Sequence, residues 1–245
     1  MGVNRTHRLA AAGIALAYVA IQSFQWYVFG ALPDVVTLAD ALLQGPHPLN
    51  IARAVSMLLS FFGLIFLFGV CCAMAGQRRP FTAMAAFVAF FVFFLLEVSL
   101  RSVELFHVYL ALPAQYQASS ESLERARILS QAESFASIQH ALYFPLGLSW
   151  LLGSVLLCRA LGAQRIDRLA QWAFALNALR LALRMVDDFV FGAKFDELYG
   201  ALYLPLVVLT FVPIAIWLFC RRDLSAIPPR LERVEASRCP GSRAG

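Results

Sequence analysis

Charged residues are scarce in this chain, and lysine is almost absent. Lys194 is the single lysine, and only 14% of the 245 residues are Asp, Glu, Lys or Arg, whereas an average soluble domain has about a quarter. With 60% hydrophobic residues and a mean hydropathy of +0.70, the composition excludes an ordinary soluble domain, whose surface must meet water. It predicts an integral membrane protein. The preference for arginine over lysine is typical of GC-rich bacterial genomes. It predicts that the protein is bacterial and is located in the inner membrane.

Six segments are long and apolar enough to cross a bilayer as helices, each of which needs about 20 such residues. The predicted helices cover roughly 9–32, 51–75, 81–112, 140–159, 169–191 and 198–220. They predict an all-α, polytopic transmembrane domain over residues 1–222, followed by a disordered tail over 223–245. Only residues 192–197 separate the fifth and sixth predicted helices, which indicates a tight hairpin. Residues 113–139 predict a short helix lying on the outer membrane face.

The arginines are divided unequally between the two sides of the predicted bundle. Basic residues in short loops stay in the cytoplasm during insertion. If the N-terminus is inside, the outer segments hold only Arg53, Arg125, Arg127 and Lys194. The inner segments hold the arginines of the tail together with Arg5, Arg8, Arg78, Arg79, Arg159, Arg165, Arg168, Arg221 and Arg222. This asymmetry predicts that both termini are cytoplasmic. Because the arginines serve orientation, the net charge of +5 does not indicate nucleic-acid binding.

Two of the predicted helices carry nearly all the ionisable residues inside the membrane. An ionisable side chain there costs several kcal/mol unless it is paired or hydrated, so these positions indicate a site. On the third helix, spacings of four, three and three residues place four side chains on one face: Glu97, Arg101, Glu104 and His107. The fifth helix carries a second such set: Asn177, Arg180, Arg184, Asp187 and Asp188.

Depth along the two helices predicts which of these charges pair. At about 1.5 Å per residue, Glu97 and Arg184 lie at the same depth, and Arg101 lies level with the two aspartates. We therefore expect the third and fifth helices to be neighbours with crosswise ion pairs. Arg180 is left without a partner. Its possible acceptors are Glu97, the carbonyls near Pro205 and Pro213, the side chains of Gln22 and Gln25, or an anionic ligand.

A metal site is a further alternative at the outer end of the third helix. Glu104 and His107 form a Glu-x-x-His, which recurs on two helices in di-iron carboxylate bundles, but here there is one copy. His140 could join them around a metal. Polar residues at a membrane interface explain the same three side chains.

Catalytic sequence patterns are absent from the chain. There is no Gly-x-Ser-x-Gly elbow, no phosphate-binding glycine-rich loop and no Cys-x-x-Cys among the five cysteines. The sequence therefore predicts no cofactor and does not indicate an enzyme.

One stretch of the sequence resembles a known family. Tyr143-Phe144-Pro145-Leu146-Gly147-Leu148 enters the fourth predicted helix, and a short basic loop and a further apolar helix follow. This layout resembles an uncharacterised bacterial family of six-helix membrane proteins, the domain of unknown function numbered 4386. The resemblance implies a topology and supplies no activity.

Three functions remain open on the sequence. The first is a non-enzymatic membrane protein that binds or transports a small anionic or amphipathic ligand in an outer-half polar cavity between the third and fifth helices. The second is a structural or partner-binding subunit, in which the charges only lock these two helices together. The third is a membrane enzyme or metalloprotein centred on Glu104, His107 and His140. The expected surroundings are the lipid bilayer, and the sequence specifies no protein partner.

Overall fold

A computed structural model describes residues 3–162 and 164–221 of the chain. Within these ranges every regular element is a helix and there is no strand. The predicted tail over 223–245 lies outside the described residues.

The helices follow the predicted order, with additions at the outer loops. They are α1 (Arg5–Ala31), α2 (Leu38–Gln44), α3 (Pro48–Gly76), α4 (Pro80–Val103), α5 (Leu112–Ala118), α6 (Ser122–Ala160), α7 (Asp167–Val186) and α8 (Asp196–Cys220). Two π-helical stretches extend α4 and α7, at Glu104–Ala111 and Asp187–Phe191. The predicted joints at 33–48 and 76–80 are confirmed, and the tight turn between the fifth and sixth predicted helices is confirmed by the packing of α7 against α8.

Five of the described helices are long and apolar enough to cross a membrane. They are Arg5–Ala31, Pro48–Gly76, Pro80–Ala118, Ser122–Ala160 and Asp196–Cys220. The predicted segment at 169–191 is not among them. These residues form α7 and its π-helical extension, but the arginines and aspartates of this helix lower its hydropathy below that of the other five.

The predicted short surface helix does not form. Residues 122–160 make one continuous helix, because no glycine or proline lies between Ser122 and Phe144 to end it. Opposite it, α4, its π-helical stretch and α5 form a second unbroken run from Pro80 to Ala118. Each run has 39 residues and is therefore about 58 Å long, about twice the thickness of a bilayer core. The small α2 packs against the far end of this hairpin, around Leu42 and Ile128.

Six helices close into a ring, in which each one packs on two neighbours. The order around the ring is α1, α3, α4, α6, α7, α8 and back to α1. We call the end that holds the start of α1 the inner end, and the opposite end the outer end. Because α6 lies between α4 and α7, the expectation that the third and fifth predicted helices are direct neighbours is wrong.

Aromatic side chains fill the inner half of the ring. Phe68 of α3 lies at its centre, with ring centroids 4.3 Å from Phe90, 5.6 Å from Phe94 and 6.0 Å from Phe174. Gly153 of α6 allows Phe90 to approach, because a Cβ at that position would lie 2.7 Å from the ring. This packing closes the centre of the ring in its inner half, and the cavity of about 1020 Å³ lies in the outer half.

At the inner end, a buried aspartate ties α7 to α8. Asp167 is fully buried and accepts a hydrogen bond of 3.0 Å from Trp217 Nε1. The guanidinium of Arg221 lies 3.6 Å from the same carboxylate oxygen. Burial lowers the pKa of Arg221 from its ordinary value, and the charge of Asp167 raises it in part. These contacts fix the inner end of the two helices that form one wall of the outer cavity.

Candidate functional site

A cavity of about 1020 Å³ occupies the outer half of the ring. Five of the six ring helices line it, and α3 does not. Its size lies at the upper end of the range for small-molecule pockets, about 300–1,000 Å³. Aromatic and aliphatic side chains form most of the wall, including Trp26, Phe93, Trp150, Tyr199 and Tyr203. Five of the predicted site residues also line it: Glu97, Arg101, Arg180, Arg184 and Asp188.

On α4, Arg101 is held between two glutamates of its own helix. Its Nη1 donates to Glu104 Oε2 at 2.7 Å, and its Nε donates to Glu97 Oε2 at 3.2 Å. Both carboxylates lie within one helical turn of the arginine, where i,i+3 and i,i+4 side chains meet. Arg101 is therefore neutralised within α4, and the stronger contact goes to the glutamate that lies outside the cavity wall.

A hydrogen-bonded chain continues from Glu104 away from the cavity. Tyr109 donates to Glu104 Oε1 at 2.6 Å, and Arg53 Nη2 donates to the Tyr109 hydroxyl at 3.0 Å. Arg53 is buried, with both Nε and Nη2 donating to Asn50 Oδ1 and its guanidinium 4.8 Å from the centroid of the Phe29 ring. These hydrogen bonds join α3 to the π-helical stretch and fix the side of α4 that carries Glu97.

On α7, Arg184 is paired with two aspartates. Its Nη2 lies 3.3 Å from Asp188 Oδ1, and its Nη1 donates to Asp196 Oδ1 at 2.6 Å. Asp187 is buried and has another role, since its two carboxylate oxygens accept from the backbone N–H of Phe195 at 3.2 and 3.3 Å. Asp187 thus holds the turn that brings Asp196 to the mouth of the cavity.

The predicted crosswise ion pairs are wrong. Glu97 pairs with Arg101 instead of Arg184, and Arg184 pairs with Asp188 and Asp196. The reason is geometric: partners three or four residues apart on one helix are held in reach by the backbone, whereas α4 and α7 face each other only across the cavity.

Arg180 differs from the other two arginines of the cavity. Its only hydrogen bond within the described residues is from Nη2 to Asn177 Oδ1, at 3.1 Å, and no carboxylate there lies within ion-pairing distance. Asn177 is buried and donates in turn to Ser154 Oγ at 2.9 Å. The guanidinium lies 5.6 Å from the Trp150 ring centroid and 5.8 Å from that of Tyr203. The aromatic rings and the amide therefore hold the cation in place without neutralising it.

Three buried polar atoms on the cavity wall have no hydrogen-bond partner in the described part of the chain. They are Arg180 Nε, Trp150 Nε1 and Gln25 Oε1. A buried polar atom left without a partner costs about 1–3 kcal/mol, so three such atoms on residues of one cavity wall need a partner, which water or a small molecule can supply. Gln22, the other expected acceptor for Arg180, accepts instead from the Tyr203 hydroxyl at 2.8 Å.

The predicted metal constellation does not assemble. Among residues 3–162 and 164–221, no three His, Cys, Asp or Glu side chains form a group that could hold a metal ion. Glu104 is bonded to Arg101 and Tyr109, and the His140 ring stacks at 5.3 Å on Phe189.

Sequence reasoning missed Trp150. A tryptophan within an apolar helix carries no signal of its own. Its significance depends on Arg180, which lies on another helix, so only the packing of α6 against α7 reveals it.

Comparisons with protein families, with curated proteins and with solved structures found no match to this chain. The evidence for its function is therefore the geometry of the cavity.

Proposed function

We propose that this chain is an integral membrane protein that binds a small anionic, amphipathic ligand in the outer-half cavity, with Arg180 as the receptor for the anionic group. The observation that carries the proposal is that Arg180 lines a cavity of about 1020 Å³ and has no carboxylate of the described residues within ion-pairing distance. A guanidinium without a carboxylate partner in a low-dielectric site attracts an anion strongly, because little water competes for it.

The membrane placement is part of the same proposal. Five helices of spanning length and composition support it, and α7 would cross with them because it closes the ring. The predicted excess of arginine at the inner end favours both termini in the cytoplasm and, in a bacterium, the inner membrane. The cavity would then open toward the outside, near Trp26 and Tyr199, and the hairpin of α5 and α6 would project beyond the bilayer on that side.

The walls of the cavity favour an amphipathic ligand over an inorganic anion. Apolar side chains such as Phe93, Leu146 and Leu206 line it together with the charged groups. An inorganic ion would leave this surface exposed to trapped water, whereas an apolar body would cover it. Transport or sensing of the ligand would both follow from such binding.

The ion pairs do not favour the alternative of a purely structural charge lock. Arg101 and Glu97 lie on the same helix, and so do Arg184 and Asp188. Pairs within one helix cannot hold α4 against α7.

Calorimetric titration of the protein in lipid nanodiscs tests the proposal. Indole-3-propionate serves as the anionic probe, and indole-3-propanol as its uncharged counterpart. We expect the propionate to bind and the propanol to bind far more weakly. Arg180→Leu should weaken propionate binding about 10- to 100-fold, the equivalent of one or two lost bonds to a charged group.

The matched control is Arg127→Leu, which removes an arginine whose side chain is 71% exposed on the projecting part of α6. It should leave the affinity unchanged. Equal affinity of the Arg180→Leu variant and the unaltered protein, with both variants folded by thermal unfolding, would sink the proposal.

A further inference from the structure

The residues that line the cavity carry unpartnered acceptors as well as unpartnered donors. Arg180 Nε and Trp150 Nε1 can only donate, whereas Gln25 Oε1 can only accept. Glu97 adds a second acceptor, because Arg101 reaches only its Oε2, and within the described residues its Oε1 has no hydrogen bond. A ligand that carried only an anion would complete the donors and leave both acceptors empty.

The charges of the lining are balanced in number but separated in space. Three arginines and three carboxylates line the cavity: Arg101, Arg180, Arg184, Glu97, Asp188 and Asp196. Arg101 is shared by Glu97 and Glu104, and Arg184 by its two aspartates. The unneutralised positive charge is therefore on Arg180. On the α4 wall, Glu97 has the longer of the two contacts to Arg101, 3.2 Å against 2.7 Å for Glu104.

These two groups lie on different walls. Arg180 belongs to α7 and Glu97 to α4, with α6 between them. Phe93, one turn from Glu97, lies with its ring centroid 4.4 Å from that of Trp150, which in turn faces the Arg180 guanidinium. A continuous aromatic surface thus runs from the carboxylate to the guanidinium and offers a stacking face for an apolar or aromatic body.

We propose that the ligand of this cavity is a zwitterionic amphiphile, whose anionic group bonds Arg180 and Trp150 while its ammonium group bonds Glu97 and Gln25. The inference rests on the proposed function and adds the ammonium to it. One molecule of this class completes both the donors and the acceptors and leaves the net charge of the cavity unchanged.

Three probes that share an indole ring test the anionic group and the ammonium group separately and together. They are L-tryptophan as zwitterion, indole-3-propionate as anion and tryptamine as cation, each titrated into the protein in nanodiscs. We expect L-tryptophan to bind at least about tenfold more tightly than either single-charge probe, since one further bond to a charged group is worth about that factor.

Two variants test which residue binds each charged group of the ligand. Arg180→Leu should weaken L-tryptophan and indole-3-propionate at least about tenfold and leave tryptamine within about twofold. Glu97→Gln should weaken L-tryptophan and tryptamine and leave indole-3-propionate within the same margin. Glu124→Gln, on the projecting part of α6 where the side chain is 47% exposed, is the control and should change none of the three.

The outcomes distinguish this inference from the proposed function. If L-tryptophan binds no more tightly than indole-3-propionate, the zwitterion is refuted while Arg180-dependent anion binding stands. If none of the probes binds in an Arg180-dependent way, both proposals fail. Should Glu97→Gln not fold, the comparison of the three probes on the unaltered protein decides alone, and equal affinities overturn the inference.

Discussion

The contact between Gly153 and Phe90 determines how α4 and α6 pack, and substitution of this glycine tests it. In Gly153→Ala the new Cβ would lie 2.7, 2.8 and 3.0 Å from three carbon atoms of the Phe90 ring. Ordinary contacts begin near 3.4 Å, so the ring must move by several tenths of an ångström. Phe90 is fully buried, and its ring centroid lies 4.3 Å from that of Phe68, which leaves it no open space to enter.

The expected cost follows from overpacking. Extra carbon atoms in a well-packed core typically destabilise by about 1–3 kcal/mol. Alanine also favours a helix over glycine by about 1 kcal/mol, and this gain must be removed from the comparison. Gly13→Ala provides the control, because Gly13 lies within α1 and nothing approaches its Cβ position within 4 Å. The difference between the two variants isolates the clash.

Thermal unfolding in detergent, followed by intrinsic fluorescence, measures that difference. A chain of this size shifts its Tm by about 2–4 °C per kcal/mol, so Gly153→Ala should unfold about 2–12 °C below Gly13→Ala. Phe90→Leu in the Gly153→Ala background should recover part of the loss, as expected for two residues in direct contact. Equal Tm values for the two alanine variants would refute the described packing of α4 against α6.

Two further predictions concern contacts at the outer end. Ala193 has a φ of +60° in the turn between α7 and α8, so Ala193→Gly should stabilise the protein by about 1 kcal/mol, measured as a raised Tm; a lowered Tm would contradict this backbone conformation. Tyr109→Phe removes the hydroxyl that links Arg53 to Glu104 and should cost about 1–3 kcal/mol, whereas Tyr27→Phe, at a largely exposed ring, should cost nothing measurable in the same assay.

The sequence predicts the helices well because each depends on local information. Pro80 and Gly76 mark a joint whatever the rest of the chain does. The surface helix was predicted wrongly because low hydropathy was taken as a boundary. Residues 122–139 are polar but good helix formers, and low hydropathy alone does not end a helix.

The partners of the charges could not be predicted in the same way. Helical spacing correctly places Glu97 and Arg101 on one face, and the same spacing makes them each other's nearest partners. The prediction compared depths on two helices and assumed that the helices touch. Since α6 separates α4 from α7, charged groups at equal depth on these two helices face each other across the cavity. Neither helix alone indicates that separation.

The two polar clusters of the outer half differ in a way that bears on function. The chain from Arg53 through Tyr109 and Glu104 to Arg101 is closed, since every link has a partner within hydrogen-bonding distance. Around Arg180 the donors and acceptors remain open. A closed network holds helices in fixed positions, and rigid walls keep open groups aimed at the space a ligand would fill, so that little ordering is needed on binding. The structural cluster therefore does not compete with a binding role for the cavity, because its rigidity is what such a site requires.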